Sequence, residues 1–183
     1  MKLIILDRDG VINQDSDAYI KNPDEWQPIE GSLEAIARLN RAGYHIYVAT
    51  NQSGLARGLF DIETLNAIHR KMFDAVKAVG GQIDAILFCP HGPDDHCNCR
   101  KPNTGLYEEI GVRCHTNLEN VPVVGDSLRD LQAAIKVKAT PILVRSGKGE
   151  TTLAKLNQEH LKISVYDNLE QMAEQLIKEN ESS

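Results

Sequence analysis

Short apolar runs that each stop at a polar residue recur along this chain, with helix-period segments between them. Lys2 to Leu6 (KLIIL) ends at Asp7, and Tyr44 to Ala49 (YHIYVA) ends at Thr50. Ile83 to Phe88 runs into Cys89, Val121 to Val124 stops at Gly125-Asp126, and Pro141 to Val144 adds a fifth run. Brief apolar runs of this kind suit strands buried on both faces. The helical period runs over Gly31 to Ala42, Asp61 to Val79, Thr104 to Arg113, Leu128 to Val137 and Leu169 to Ile177. Ser32 is the expected N-cap of the first, and Gly43 stops it.

Strands alternating with helices imply an α/β fold: a three-layer, Rossmann-like sandwich around a central, mainly parallel sheet. Ligands of such sheets bind beyond the carboxyl ends of the strands. Asp7, Thr50, Cys89 and Asp126 all fall at that edge. No Gly/Ser/Pro-rich linker or repeat divides the 183 residues, so residues 1–183 are expected to form a single domain. Twenty basic against 26 acidic residues leave a net charge of -6, which argues against nucleic acid and anionic membranes as partners. Met1 to Leu6 lacks the basic start of a signal peptide, and no apolar run approaches the roughly 18 residues that span a bilayer. A soluble, cytoplasmic monomer is the expectation.

Residues 6 to 12 (LDRDGVI) place two carboxylates two apart at a strand end, followed by a turn glycine, Gly10. An aspartate can attack phosphorus, provided that a cation neutralises the phosphate and a second acid protonates the leaving oxygen. Asp7 and Asp9 supply a nucleophile and an acid/base on one short arc. Residues 123 to 130 (VVGDSLRD) repeat the pattern of strand then aspartate. Asp126 would sit beside Asp7 and form a hard-oxygen magnesium site. Asp130, one helical turn on, could support the water shell of that ion or the Lys101 ammonium. In residues 49 to 58 (ATNQSGLARG), Thr50 offers a hydroxyl, and Asn51, Gln52 and Ser53 offer donors for phosphate or sugar oxygens.

Residues 89 to 102 (CPHGPDDHCNCRKP) crowd three cysteines and two histidines ahead of Arg100, Lys101 and Pro102. Cys89, His91, Cys97 and Cys99 make a closed Cys3His set for zinc, in a loop spanning residues 89–101. His96 competes with His91 for the nitrogen position; His91 is preferred because mirrored one-residue spacings let both pairs chelate. Four protein ligands leave no open position, so the zinc is structural and fixes Arg100 and Lys101. Cys114, alone at a helix end, reads as a small core residue.

The order D-x-D, Thr, Lys, Gly-Asp on successive strand ends resembles the haloacid dehalogenase superfamily of phosphotransferases, over nearly the whole chain. That resemblance implies Asp7 as nucleophile, Asp9 as general acid/base, and Thr50 and Lys101 as holders of the phosphoryl group. It implies magnesium on Asp7, Asp126 and the backbone carbonyl of Asp9. Many members carry a large inserted cap domain. Only a loop, a helix and a strand separate Asp9 from Thr50 here, and one helix follows Ser53, so no cap domain and an open site are expected.

DRDGVIN, TNQSG, C-x-H…C-x-C-RKP and GDSLRD together are similar to the phosphatases that remove the 7-phosphate of D-glycero-D-manno-heptose 1,7-bisphosphate, on the route to nucleotide-activated heptose. That likeness implies a phosphorylated small-molecule substrate whose distal part lies against the loop from Asn13 to Pro28, with Asp15, Ser16 and Asp17 in contact; separately, the rim cations Arg100 and Arg57 suit a second phosphate. Histidinol-phosphate phosphatases share the zinc loop and stay open as an alternative. So does a zinc-stabilised binding module without catalysis.

Overall fold

A computed structural model of the chain describes residues 1–159 and 163–181. Six strands form one sheet: β1 (Lys2–Leu6), β2 (Tyr44–Asn51), β3 (Ala85–Cys89), β4 (Pro122–Gly125), β5 (Thr140–Val144) and β6 (Ser164–Tyr166). Their order is β3-β2-β1-β4-β5-β6, and every pairing is parallel. The chain therefore steps outward from β1 in one direction through β2 and β3, then returns to the other side of β1 with β4. Such a reversal opens a crevice between the two neighbours at their carboxyl ends. Asp7 leaves β1 there, and Asp126 leaves β4.

Side-chain alternation along β1 decides the layers. Ile4 and Leu6 join one core with Ile36 and Leu39 of α1 (Ser32–Arg41), Ile68 and Met72 of α2 (Ile62–Ala78), and Met172 of α6 (Leu169–Glu181). Leu3 and Ile5 point the other way, onto Leu106 and Ile110 of α3 (Gly105–Arg113) and Ala133 and Ala134 of α4 (Leu128–Lys136). A smaller cluster of Leu131, Leu143 and Leu156 seats α5 (Gly149–Glu159) beside α4. The expected three-layer sandwich is present, with a sheet that is wholly parallel.

The connection from β1 to β2 contains only a single 3-10 turn (Pro23–Glu25) and α1, and that from β2 to β3 only α2. The cleft at the strand ends is accordingly uncapped. Among the described residues no helix is long and apolar enough to cross a membrane.

Two local expectations need correction. Ser32 does not cap α1; Gly31, with φ of 78°, is the N-cap, and Ser32 is the first helical residue, its hydroxyl donating to the Ile12 carbonyl at 2.7 Å. The serine has been recruited to tie the helix start to the loop behind Asp9. The elements α5 and β6 were not anticipated at all. Among the described side chains of α5, Leu153 and Leu156 are the apolar ones that pack inward, and β6 is three residues long on the sheet edge, so neither carries a readable period.

Candidate active site and metal centres

Strand ends and their turns place the acidic residues. The Asp7 amide donates to the Val124 carbonyl at 2.9 Å, extending the β1–β4 ladder by one step and aligning Asp7 with Asp126. Gly10 turns the chain with φ of 81°, and a Cβ there would overlap the Asp126 carboxylate. Carboxylate oxygens of Asp7, Asp126 and Asp130 lie within 4.8 Å of one another. Burial, then the charge of Asp130, pushes Asp7 up to about 7. Burial, then Asp7, pushes Asp126 up to about 8.

Lys101 is buried among them. Its ammonium reaches Asp130 Oδ1 at 2.6 Å, Asp7 Oδ1 at 3.0 Å and the Ala49 carbonyl at 2.7 Å. Burial works against that charge, but Asp130 and Asp7 outweigh it and hold the ammonium well above its ordinary pKa. Of the two tasks foreseen for Asp130, the Lys101 contact is the one observed. Its other oxygen accepts from the Ser127 hydroxyl at 2.6 Å and the Ser127 amide at 3.1 Å, which ties off the start of α4. Asp130 is thus committed, and Asp7 and Asp126 face the cleft.

Asp9 sits in a separate cradle. Arg8 donates through Nε to Oδ1 at 3.0 Å and through its fork to Oδ1 at 2.9 Å and Oδ2 at 3.1 Å. Asn13 donates to Oδ1 and Gln52 to Oδ2, each at 2.9 Å. Burial raises the Asp9 pKa, yet Arg8 and these donors overcome it and leave the carboxyl below its ordinary value.

Thr50 is buried and lines the cleft, its Oγ1 accepting from Gln52 at 2.9 Å. Gln52 therefore spends its amide on Asp9 and Thr50. Asn51 spends its own on the Lys101 backbone, accepting from the amide and donating to the carbonyl, both at 3.1 Å. Both line the cleft and act as braces, Gln52 with both amide hydrogens engaged and Asn51 with one. Ser53 lines it with no such commitment. Ser16 Oγ accepts from the Ala18 amide at 3.2 Å and closes its own turn. Asp15 and Asp17 meet Lys148 Nζ at 3.3 and 3.6 Å.

The cleft has a volume of about 340 Å³. Arg100 and Arg129 stand on its rim, and neither is paired with a carboxylate among the described residues; Arg100 donates only to the His91 carbonyl, at 3.2 Å. Lys148, Arg129, Arg8 and Asn13 were missed in the sequence. Lys148 had a weaker signal: it lies in the turn beyond the strand at 140–144, at the same sheet edge as Asp7. Its amide donates to Asp126 Oδ2 at 2.8 Å.

Cys89, His91, Cys97 and Cys99 converge, with Nδ1 and sulfur atoms 3.1 to 3.6 Å apart. Three thiols and an imidazole so arranged match the donors of a closed zinc site, whose bonds of about 2.0–2.3 Å need edges of this order. His96 is exposed and outside the cluster, so His91 is the histidine placed to supply a nitrogen donor. No cysteine is in a disulfide, and Cys114 is half-buried against the second core.

A HAD-hydrolase-like family model matches residues 98–172. A D-glycero-beta-D-manno-heptose-1,7-bisphosphate 7-phosphatase of Bordetella bronchiseptica is 58% identical over 179 residues, covering 98% of this chain and 99% of its own. One from Pseudomonas putida is 52% identical, covering 97% and 100%. The chain belongs to the D-glycero-beta-D-manno-heptose-1,7-bisphosphate 7-phosphatase family. A crystal structure of the B. bronchiseptica D,D-heptose 1,7-bisphosphate phosphatase, complexed with magnesium and phosphate, superposes with a TM-score of 0.94 over 98% of this chain and 99% of that one, at 58% identity. A Burkholderia thailandensis phosphatase of this family gives 0.75 at 47% identity, covering 97% and 99%.

The donor set of this family member suits magnesium. Four carboxylates (Asp7, Asp9, Asp126 and Asp130) meet two cations, Arg8 and Lys101, and the surplus lies on Asp7 and Asp126. A hard divalent cation removes their mutual repulsion. Their folded pKa values of about 7 and about 8 lie above the ordinary 3.8. Their contribution to stability is therefore full at acid pH and is lost as pH rises through those values. Magnesium should raise Tm more at about pH 8.5 than at about pH 6, with protons released to the buffer on binding. A shift as large at the lower pH would show that other groups hold the ion.

For the zinc site, elemental analysis of reduced protein should find one zinc per chain. His91→Ala and Cys97→Ser should each lose metal and lower Tm, while His96→Ala retains both. Retention of zinc by His91→Ala would overturn the ligand assignment.

Proposed function

We propose that this chain is a magnesium-dependent phosphomonoesterase that hydrolyses the 7-phosphate of D-glycero-β-D-manno-heptose 1,7-bisphosphate. The relatives' names supply the substrate, and the charge arrangement of the cleft supports it. Asp7 is the nucleophile: an oxygen of its carboxylate attacks phosphorus while the bond from phosphorus to the sugar oxygen breaks. Arg8 holds Asp9 ionised in the free site, so Asp9 first takes the proton of the phosphate monoanion, gives it to that leaving oxygen, and then takes one from the water that hydrolyses the aspartyl-phosphate. Orthophosphate leaves and Asp7 is regenerated. Lys101 holds Asp7 by one oxygen and so presents the other to the substrate. Thr50 and the loop up to Ser53 line the wall that receives the phosphoryl oxygens. Asp7, Asp126 and the Asp9 carbonyl would hold magnesium, which supplies neutralising charge for the phosphoryl group when bound.

The observation that favours a bisphosphate is the pair of uncompensated guanidiniums, Arg100 and Arg129, on the rim. Histidinol phosphate would bring an ammonium to that rim instead. The acids that could have received it, Asp15 and Asp17, already face Lys148. Asp15 remains suited to a sugar hydroxyl, and Ser16 and Asp17 to shaping the loop. We take the protein to act in the cytoplasm as a monomer, on a phosphorylated small molecule, with neither nucleic acid nor membrane as partner.

Asp7→Asn should lower kcat by about 10³-fold or more with Tm little changed, and Asp9→Asn by about 10²–10⁴-fold with a lower Tm, because the buried Arg8 loses its counter-charge. Near-normal turnover by Asp7→Asn would refute the covalent mechanism. A charged hydrogen bond contributes about 1.5–3 kcal/mol, so Arg100→Ala should cost about 10- to 100-fold in kcat/KM on the bisphosphate. Histidinol phosphate should lose far less. A wild-type preference for histidinol phosphate would transfer the assignment to that substrate.

A further inference from the structure

Behind Asp9 lies a chain of buried polar groups that the proposed chemistry does not itself require. Arg8 is fully buried, an unusual position for a guanidinium, and His69 is buried on the inner face of α2 beside Leu65, Ile68 and Met72. Arg8 Nη1 lies 3.2 Å from His69 Nε2. Arginine has donors only, so Nε2 accepts, and the imidazole is neutral with its proton on Nδ1. Burial and then the nearby Arg8 charge push the His69 pKa down to about 3, in keeping with that tautomer. The other terminal nitrogen of Arg8 meets Gln52 Oε1 at 3.3 Å as well as both oxygens of Asp9.

We propose that His69 is a positioning residue for the Asp9 carboxylate, acting through the Arg8 guanidinium. The proposal rests on the reading of Asp9 as the proton carrier. A guanidinium is rigid and planar, so fixing Nη1 at His69 fixes the edge that Nε and Nη2 present to Asp9. Oδ1 then carries contacts from Arg8 Nε, Arg8 Nη2 and Asn13, which leave its lone pairs no room for a fourth partner. Oδ2 carries Gln52 at 2.9 Å and a longer contact to Arg8 at 3.1 Å. Oδ2, with one donor fewer and the longer Arg8 contact, is the oxygen more readily released to exchange a proton with the substrate, and Arg8 is what makes that distinction.

A buried ion pair is poor evidence of stabilisation, because desolvation offsets its attraction. An apolar pair at positions 8 and 69 would fill the same core. Orientation of Asp9 gives the polar arrangement a use that packing does not.

Glutamine and asparagine separate position from polarity. The His69→Gln amide oxygen reaches the place of Nε2, whereas that of His69→Asn stops near the place of Nδ1. With heptose 1,7-bisphosphate and saturating magnesium, His69→Leu and His69→Asn should lower kcat by about 10- to 100-fold, the cost of a small misplacement, with KM nearly unchanged. His69→Gln should recover most of the turnover. In magnesium-free protein, the ring-nitrogen NMR signals of His69 should show Nε2 unprotonated and hydrogen-bonded, and Arg8→Met should abolish that bond.

Equal kcat in the Gln and Asn variants would overturn the proposal, as would losses confined to KM. If His69→Leu fails to fold, the comparison of the two amides still decides. Asp9→Asn run alongside separates the two levels. Retained turnover there removes the proton role from Asp9, whereas a dead Asp9→Asn with fully active His69 variants removes only the positioning claim.

Discussion

The Lys101 ammonium is the interaction on which the site depends. It meets Asp7 from β1, Asp130 from α4 and the Ala49 carbonyl from β2, and so it joins three elements at the point where the strand order reverses. An ammonium has three protons, and all three have acceptors. Its own backbone is clamped by Asn51 in both directions, immediately after the cysteine cluster. Zinc held by that cluster would therefore act at a distance. It would fix where the chain enters the core, and Lys101 would convert that into an orientation for Asp7. A polar loop of this length could not hold the residue through packing, having little apolar surface to bury.

That buried cation also divides the carboxylates by function. Asp130 is neutralised and tied to Ser127, and Asp9 is neutralised by Arg8. Asp7 shares Lys101 with Asp130, and among the described residues the Asp126 carboxylate has only an amide donor, from Lys148. Uncompensated charge is thereby concentrated on the two residues that leave adjacent strands. The same arrangement that makes the metal-free site electrostatically unfavourable makes it a receptor for a divalent cation. Stability has been given up locally for binding, as functional sites commonly require.

Much of this was legible in the chain itself. Strand-end polarity located Asp7, Thr50, Cys89 and Asp126, because a parallel sheet buries its strands and leaves chemistry to their ends. The cysteine spacing located the converging Cys3His cluster for a similar reason, since ligands one residue apart can chelate without help from the fold. The hidden parts are those that need tertiary structure to have meaning. Arg8 reads as the unremarked middle of D-x-D until its burial and its contact with His69, 61 residues away, are seen. Gln52 and Asn51 look like substrate donors until their amides are found already engaged. Ser32 looks like a cap until its hydroxyl is found on Ile12.

The absence of a cap domain moves the burden of recognition to loops, which are ordinarily the softest parts of a fold. Here they are cross-braced. Lys148 spans from the β5–α5 turn to Asp15 and Asp17, and Arg57, after β2, lies over the Tyr19 ring at 5.8 Å from its centre. The Ser146 hydroxyl donates to the Gly10 carbonyl at 2.7 Å, which ties the same turn to the D-x-D arc. Each exposed contact is weak by itself. Together they connect the loop of residues 13–28 to the ends of β5 and β2, the second of which carries Thr50. A substrate that presses on the rim therefore presses on a frame continuous with Asp126 and Gly10. In an open site, that continuity lets binding of the distal end of a substrate align its reacting end without domain closure.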